Sequence, residues 1–295
     1  MIFDLYHHFK ENPRYNKLVG NDYLFTEYKC PVETETFEFM SELSFITYVV
    51  TGRKDWFASG KVYQIKEGDA LFVRKGAYTT RQYFDVDHCL LTFFITDDFI
   101  RNFIRENNLV GAPEGEEVGH EQIFEIDVND TLQALFYSMF NYLKMGTEIP
   151  RSLVELKFRE LLFNIVLNPK NKKLAQFFTS LNKANKWNFE DVMMKHFHFD
   201  LELKDFARLC GRSLSTFKRD FKNFYQQTPG KWLSDKRLEY AKNLLISSDL
   251  NVNEICYESG FRNSSHFNKA FKDRYQHPPK QFRMLRKKAD IALHG

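Results

Sequence analysis

Ser215–Pro229 reads STFKRDFKNFYQQTP, and fifty residues later Ser265–Pro279 reads SHFNKAFKDRYQHPP. A chain that writes one polar, aromatic phrase twice must place two similar elements in similar surroundings. On a helix advancing about 100° per residue, side chains three and four apart share a face. Leu214, Phe217 and Phe221 then fall on one side, with Ser215, Lys218, Arg219 and Lys222 on the other. In the second copy Ser264, Phe267 and Phe271 oppose Ser265, Asn268, Lys269 and Lys272. Few apolar residues suffice, because each copy needs only one anchored face and leaves a basic, hydrogen-bonding face outside.

What precedes each copy sharpens the reading. LKDFARLCG supplies Leu203, Phe206, the small Ala207 and then Gly211. VNEICYESG supplies Val252, Ile255, the small Cys256 and then Gly260. The small residue lets a second helix cross closely, and the glycine supplies a left-handed turn. Helix, glycine turn and polar-faced helix make a helix-turn-helix, present twice with its glycines 49 residues apart. The glycine-to-phenylalanine spacing is six in the first copy and seven in the second, so the turns need not be identical.

Between them PGKWLSDKRLEYAKNLLISSD has proline where a helix starts and an apolar side of Trp232, Leu233, Leu238, Ala241, Leu244 and Leu245. About 17 residues at 1.5 Å each give a rod of about 25 Å. Such a rod can hold two recognition helices about 34 Å apart, one turn of duplex DNA. The repeat is thus explained by two successive major-groove segments read by two similar helices.

The segment GFRNSSHFNKAFKDRYQHPPKQFR (260–283) resembles the signature of AraC/XylS-type transcription regulators, and the resemblance extends over about 187–286. One departure is Gln226 and Gln276, where that family often has glycine. The resemblance implies activation of transcription through RNA polymerase.

The first half reads differently. FITYVV (45–50), KVYQI (61–65), ALFVR (70–74) and CLLTFFI (89–95) are β-branched or aromatic runs, parted by TGRKD, SG, KEGD and KG turns. They predict a small antiparallel sandwich or barrel. DDFIRNFIREN predicts a short helix with Phe99, Phe103 and Ile104 on one face, followed by the acidic loop GAPEGEEVG (111–119). Leu132, Leu135, Phe136, Met139 and Leu143 keep helical spacing, as do Leu153, Leu156, Leu161 and Ile165 in a second helix ending near NPKNKK. A short helix around 172–183 leads to NKANK, a linker.

The stretch VYQIKEGDALFVRKGAY (62–78) resembles the degenerate cupin barrel found ahead of the DNA-binding part in many such regulators. Its RKG turn and LVELKFRELLF (153–163) look closest to the subgroup of type III secretion activators. The resemblance implies either a small effector in the barrel or a regulatory protein at this domain. The expected fold class is α+β: a cupin-like regulatory and dimerisation domain at 1–183, then an all-α double helix-turn-helix domain at 187–288.

Charge agrees with a polyanion partner. From Ala184 onward 21 Lys and Arg face 13 Asp and Glu, a net +8 against −5 for the rest. The N-terminus MIFDLYHHFKENPR has no basic and long apolar signal regions, and no apolar run approaches the 18 residues of a membrane helix. Cys30, Cys89, Cys210 and Cys256 form no CxxC pair and read as buried thiols of a cytoplasmic protein.

Lys218, Arg219, Asn268 and Lys269 are the expected base-reading residues: Arg and Lys suit guanine, Asn suits adenine. Ser215, Thr216, His266, Lys222, Ser265 and Lys272 complete the DNA face, mostly as phosphate contacts that fix register. Leu132, Leu135, Met139, Leu153, Leu156 and Leu161 are candidates for a homodimer face. His196 and His198 in KHFHFD point apart on a helix and suit no single metal; His7 and His8 are read the same way, and no His-x-His lies in the barrel. Asp97-Asp98 reads as a helix cap rather than a catalytic carboxylate pair. No phosphate loop or nucleophile elbow is written, so neither metal, cofactor nor enzyme activity is expected. The alternative is a cupin-type enzyme fused to a DNA-binding domain.

Overall fold

The computed structural model describes residues 2–28, 34–85, 87–109, 121–145, 148–181 and 189–294, with side chains as far as 286. Cys30, the 111–119 loop, the 182–186 linker and Trp187 lie outside the described residues. The chain divides into two compact units, Phe3–Lys186 and one holding Trp187–Gly295.

The first unit runs β1 (Phe3–Asp4), α1 (Leu5–Glu11), β2 (Lys17–Val19), β3 (Tyr23–Tyr28), β4 (Thr36–Ser41), β5 (Ser44–Thr51), β6 (Arg53–Ala58), β7 (Lys61–Lys66), β8 (Ala70–Val73), β9 (Gly76–Gln82) and β10 (Cys89–Ile95). Then come α2 (Asp97–Glu106), β11 (Ile123–Ile126), α3 (Asp130–Lys144), α4 (Arg151–Leu167), one 3-10 turn (Pro169–Asn171) and α5 (Lys172–Ser180). The strands form two sheets, ordered β1-β4-β9-β6-β7 and β11-β8-β5-β10-β3-β2. Pairing is antiparallel except between β1 and β4.

One core lies between the sheets, where Phe39, Trp56 and Tyr78 of the smaller meet Leu24, Phe45 and Phe94 of the larger. A second lies on the other face of the larger sheet. There Phe25, Ile46, Phe72 and Phe93 meet α2 to α5 through Phe99, Phe136, Phe158 and Phe178. Side chains alternate across a strand, so a strand covered on both faces must be apolar throughout. This is why CLLTFFI is apolar but for the small Thr92: β10 sits between β5 and β3, and all seven residues are buried. Ring stacking ties sheet to helix, with Tyr48 4.3 Å from Phe136 and Tyr23 4.5 Å from Phe158.

Three sequence expectations are corrected. TGRKD is not a turn throughout: only Gly52 has positive φ (+90°), and β6 begins at Arg53. Its Lys54 and Asp55 are buried, the ammonium lying 4.9 Å from the ring centres of Tyr28 and Phe37. Lys75–Gly76 leads straight into β9, and Lys75 pairs with Asp97 at 3.0 Å. The cap of α2 is Thr96, whose hydroxyl accepts the Phe99 N–H at 3.1 Å; Asp97 and Asp98 occupy its first turn instead.

Four of the six candidate dimer residues, Leu132, Leu135, Met139 and Leu161, are at most 3% exposed. They bind α3 and α4 to the sheet and have no surface left for a second molecule. Leu153 is half-buried, and Leu156 remains exposed.

The second unit holds seven helices among the described residues: α6 (Phe189–His196), α7 (Leu203–Leu209), α8 (Leu214–Tyr225), α9 (Pro229–Ser247), α10 (Val252–Glu258), α11 (Ser264–Tyr275) and α12 (Pro279–His294). None of the described helices is long and apolar enough to cross a membrane.

Candidate nucleic-acid interface

Helices α8 and α11 are the two copies of the repeated phrase, each of 12 residues. Ser213 caps α8 by accepting the Thr216 N–H at 3.3 Å; Asn263 caps α11 by accepting the His266 N–H at 3.0 Å. Phe217, Phe221, Phe267 and Phe271 are fully buried. Leu214, grouped with them by spacing, stays at the rim, 38% exposed. Gly211 (φ +64°) and Gly260 (φ +81°) make the turns that α7–α8 and α10–α11 require.

Of the ten candidate DNA-binding residues, Ser215, Lys218, Arg219, Lys222, Ser265, His266, Lys269 and Lys272 are exposed, and Thr216 and Asn268 are half-buried. Arg219 is 71% exposed and rests against Asp220 at 3.2 Å. Thr216 accepts the Ser213 hydroxyl at 2.9 Å, so its side chain helps the cap. Asn268 donates its amide to the Ser264 carbonyl at 2.8 Å, one turn back on α11. The charged edges therefore face outward.

Each helix ends the same way. Gln226 (φ +55°) and Gln276 (φ +65°) adopt the left-handed conformation in place of glycine. Each side chain donates to a carbonyl three residues back, Asn223 at 2.8 Å and Asp273 at 3.2 Å. Pro229 and Pro279 then open the next helices.

Sequence reasoning missed the residues that tie this unit together. Arg237 on α9 donates to the Phe197 and Phe199 carbonyls at 2.7 and 2.8 Å, and burial lowers its pKa to about 10. The signal was a charge on the apolar stripe, four residues from both Leu233 and Ala241. Arg262 pairs with Asp200 and Glu202. No local pattern announces that contact, because the partners stand about sixty residues apart.

The histidines serve packing. His196 is buried, and burial next to Arg237 lowers the pKa of His198 to about 4. Asp4, His7 and Glu42 bring possible ligand atoms within 4.8 Å of one another. Asp4 is the cap of α1, and both carboxylates ion-pair with the same imidazole nitrogen, at 3.1 and 3.5 Å. Cys210 and Cys256 are buried, and burial raises the Cys256 thiol.

Residues 44–177 match the family model of the ExsA N-terminal regulatory domain, and residues 206–284 match that of a helix-turn-helix domain. The chain is 24% identical over 239 residues to the thermoregulatory protein LcrF of Yersinia pestis, covering 81% of this chain and 88% of that protein. It is 28% identical over 217 residues to the transcriptional regulator ExsA of Pseudomonas aeruginosa, covering 73% and 77%. Apo ToxT of Vibrio cholerae aligns with a TM-score of 0.43 at 12% identity, over 90% of this chain and 98% of that one. An ExsA-type regulatory domain thus stands ahead of paired helix-turn-helices, the domain order of AraC-type transcription regulators.

Proposed function

We propose that the protein is a cytoplasmic activator that reads two successive major-groove segments with α8 and α11 and is governed by a protein partner at its first domain. The observation that carries the DNA reading is the pair of outward polar faces, each backed by two buried phenylalanines. Relatives named as transcriptional activators support activation, and contact with RNA polymerase is proposed as its route. Binding then depends steeply on salt, because Lys and Arg contacts release counterions from phosphates. Arg219→Ala and Lys269→Ala are each expected to weaken a selected duplex by about 1–3 kcal/mol in fluorescence anisotropy. Unchanged affinity in both would place the recognition faces elsewhere.

Two observations favour a protein partner over a small ligand. The space between the sheets is filled by Phe39, Phe45, Trp56 and their neighbours, leaving a cavity of about 10 Å³. That is room for about one water. The larger hollow, about 850 Å³, is an open trough at the sheet end lined by Glu27, Tyr83, Phe84, His88, Phe140 and Lys144. An open trough with mixed lining and an exposed Phe84 suits a protein segment better than an enclosed small molecule. The test adds cell-extract fractions to purified protein on DNA. The macromolecular fraction is expected to alter binding and the small-molecule filtrate to leave it unchanged; the reverse favours a ligand.

The chain is also proposed to form a homodimer, through the outer side of α4. Leu156 and Leu167 are 59% and 70% exposed and stand eleven residues apart, on one helical face. Leu156→Glu is expected to yield monomers by sedimentation.

A further inference from the structure

The two turns use their arginines differently. In the first copy Arg212 folds back on its own recognition helix, donating to Asp220 at 3.3 Å, with its guanidinium 4.5 Å from the Phe189 ring centre. In the second copy Arg262 reaches out of its copy altogether. It donates to the Asp200 carboxylate, to Glu202 at 3.2 Å and to the Asp200 backbone oxygen at 3.3 Å. Both partners lie in the segment 197–202, which leads into α7.

That segment is held from two more directions. Arg237 of α9 takes its carbonyls at Phe197, Phe199 and, at 3.5 Å, Leu201. Gly260 lies so near that an added Cβ would sit 2.8 Å from the His198 carbonyl oxygen. Glu202 is itself the cap of α7, in a reciprocal box with Asp205. The segment therefore joins the rod, the second turn and the first helix of the first copy. A rod alone sets the separation of α8 and α11; a bridge beside it also resists rotation about the rod's axis.

We propose that Arg262, Asp200 and Glu202 are positioning residues that lock α8 and α11 into one reading head, so that both helices meet the duplex together. This rests on the DNA reading proposed above. Two linked binding events reinforce each other only while the geometry lets both engage at once. Loosening the bridge therefore weakens a two-half-site duplex and spares each half-site alone.

The test uses the full chain and a duplex that it enriches from a random-sequence pool, with two derivatives in which one half-site is scrambled. Arg262→Gln and Asp200→Asn are each expected to weaken the intact duplex about tenfold and each derivative less than about twofold. Both variants should tolerate one base pair inserted between the half-sites better than the parent protein does. The reversed pair, Asp200→Arg with Arg262→Asp, keeps both charges and should restore tight binding, which distinguishes positioning from simple loss of fold. If Arg262 instead grips a phosphate, Asp200→Asn frees it and tightens binding, and Arg262→Gln weakens every duplex; either result overturns the proposal, as does a reversed pair that fails. Arg219→Ala on the same duplexes isolates the underlying reading: no effect there means that the helix face, not the bridge, is wrong.

Discussion

The two helix-turn-helix copies agree closely on one side and diverge on the other. Their phenylalanine pairs lie 5.6 and 5.7 Å apart, and the following tyrosines 4.6 and 4.7 Å from the second ring. Trp232 meets Phe221 at 79°, and Phe282 meets Phe271 at 78°. The turns do not match. The second has one extra residue, Phe261, which is buried and packs 5.2 Å from Phe267. In the first copy that place is taken by Phe189 of α6, 5.7 Å from both Phe217 and Phe221. The geometry that presents the polar face is repeated; the support behind the turn is improvised separately in each copy.

The largest effect expected from this difference is at the glycines. Gly211 has open space where a Cβ would be, so Gly211→Ala meets only the left-handed backbone penalty, roughly 1–2 kcal/mol. Gly260→Ala adds a collision with the His198 carbonyl oxygen at 2.8 Å and the Arg237 side chain at 2.9 Å. With the overpacking included, roughly 3 kcal/mol or more is expected. Hydrogen exchange of the α8 and α11 amides separates the two; equal losses would show the turns to be equivalent after all.

The same crowding gives the segment behind the second turn a pH dependence through His198. Buried beside Arg237, His198 binds a proton only near pH 4 in the folded chain, against 6.5 when free. Between those values the unfolded chain holds more protons. The contribution of neutral, buried His198 to stability is therefore complete above pH 6.5, declines as pH falls and is gone below about 4, a change on the order of 3 kcal/mol. His198→Gln is expected to flatten that profile for α10 and α11. His88 has the same shift, but in the first unit, so a variant there should leave these helices untouched.

What was legible followed local periodicity. The recognition faces, glycine turns, rod and sheet-covering helices all declare themselves within one or two helical turns of sequence. Strands β5, β7, β8 and β10 were legible because apolar runs need two covered faces or a regular alternation. β6 and β9 were hidden because their buried positions include the polar residues Lys54, Asp55, Thr80 and Gln82. Lys54 is met by the rings of Tyr28 and Phe37, Asp55 by the Tyr83 hydroxyl and Gln82 by the Thr34 carbonyl, all distant in sequence. The bridge was hidden for the same reason: Arg237 and Arg262 reach carbonyls and carboxylates 36 to 62 residues away.

Equivalent positions on the two recognition faces should also behave differently. Lys218 follows Phe217, and Asn268 follows Phe267. Lys218→Ala is expected to cost about 1 kcal/mol on the selected duplex and less on an unrelated one, and, because a cation leaves the DNA face, to lower the salt slope by about one. Asn268 carries no charge, and its amide already serves the Ser264 carbonyl. Asn268→Ala should leave the salt slope unchanged and alter preference at one base pair at most. A shared salt effect would mean that the copies meet phosphates alike.

The smallest expected effect lies where the copies agree. Gln226 and Gln276 both hold a left-handed backbone that costs a side chain roughly 1–2 kcal/mol, partly offset by the bond each amide makes to its own last turn. Glycine removes the strain, loses that bond and adds freedom to the unfolded chain. Gln226→Gly and Gln276→Gly are therefore expected to stabilise their copies by similar amounts, about 0.5 kcal/mol each, in hydrogen exchange of α8 and α11. The Gln226 bond is shorter, 2.8 against 3.2 Å, so the gain should be slightly less in the first copy. A loss of stability in both would show that the amide contacts outweigh the backbone strain, and that glutamine is the better cap here.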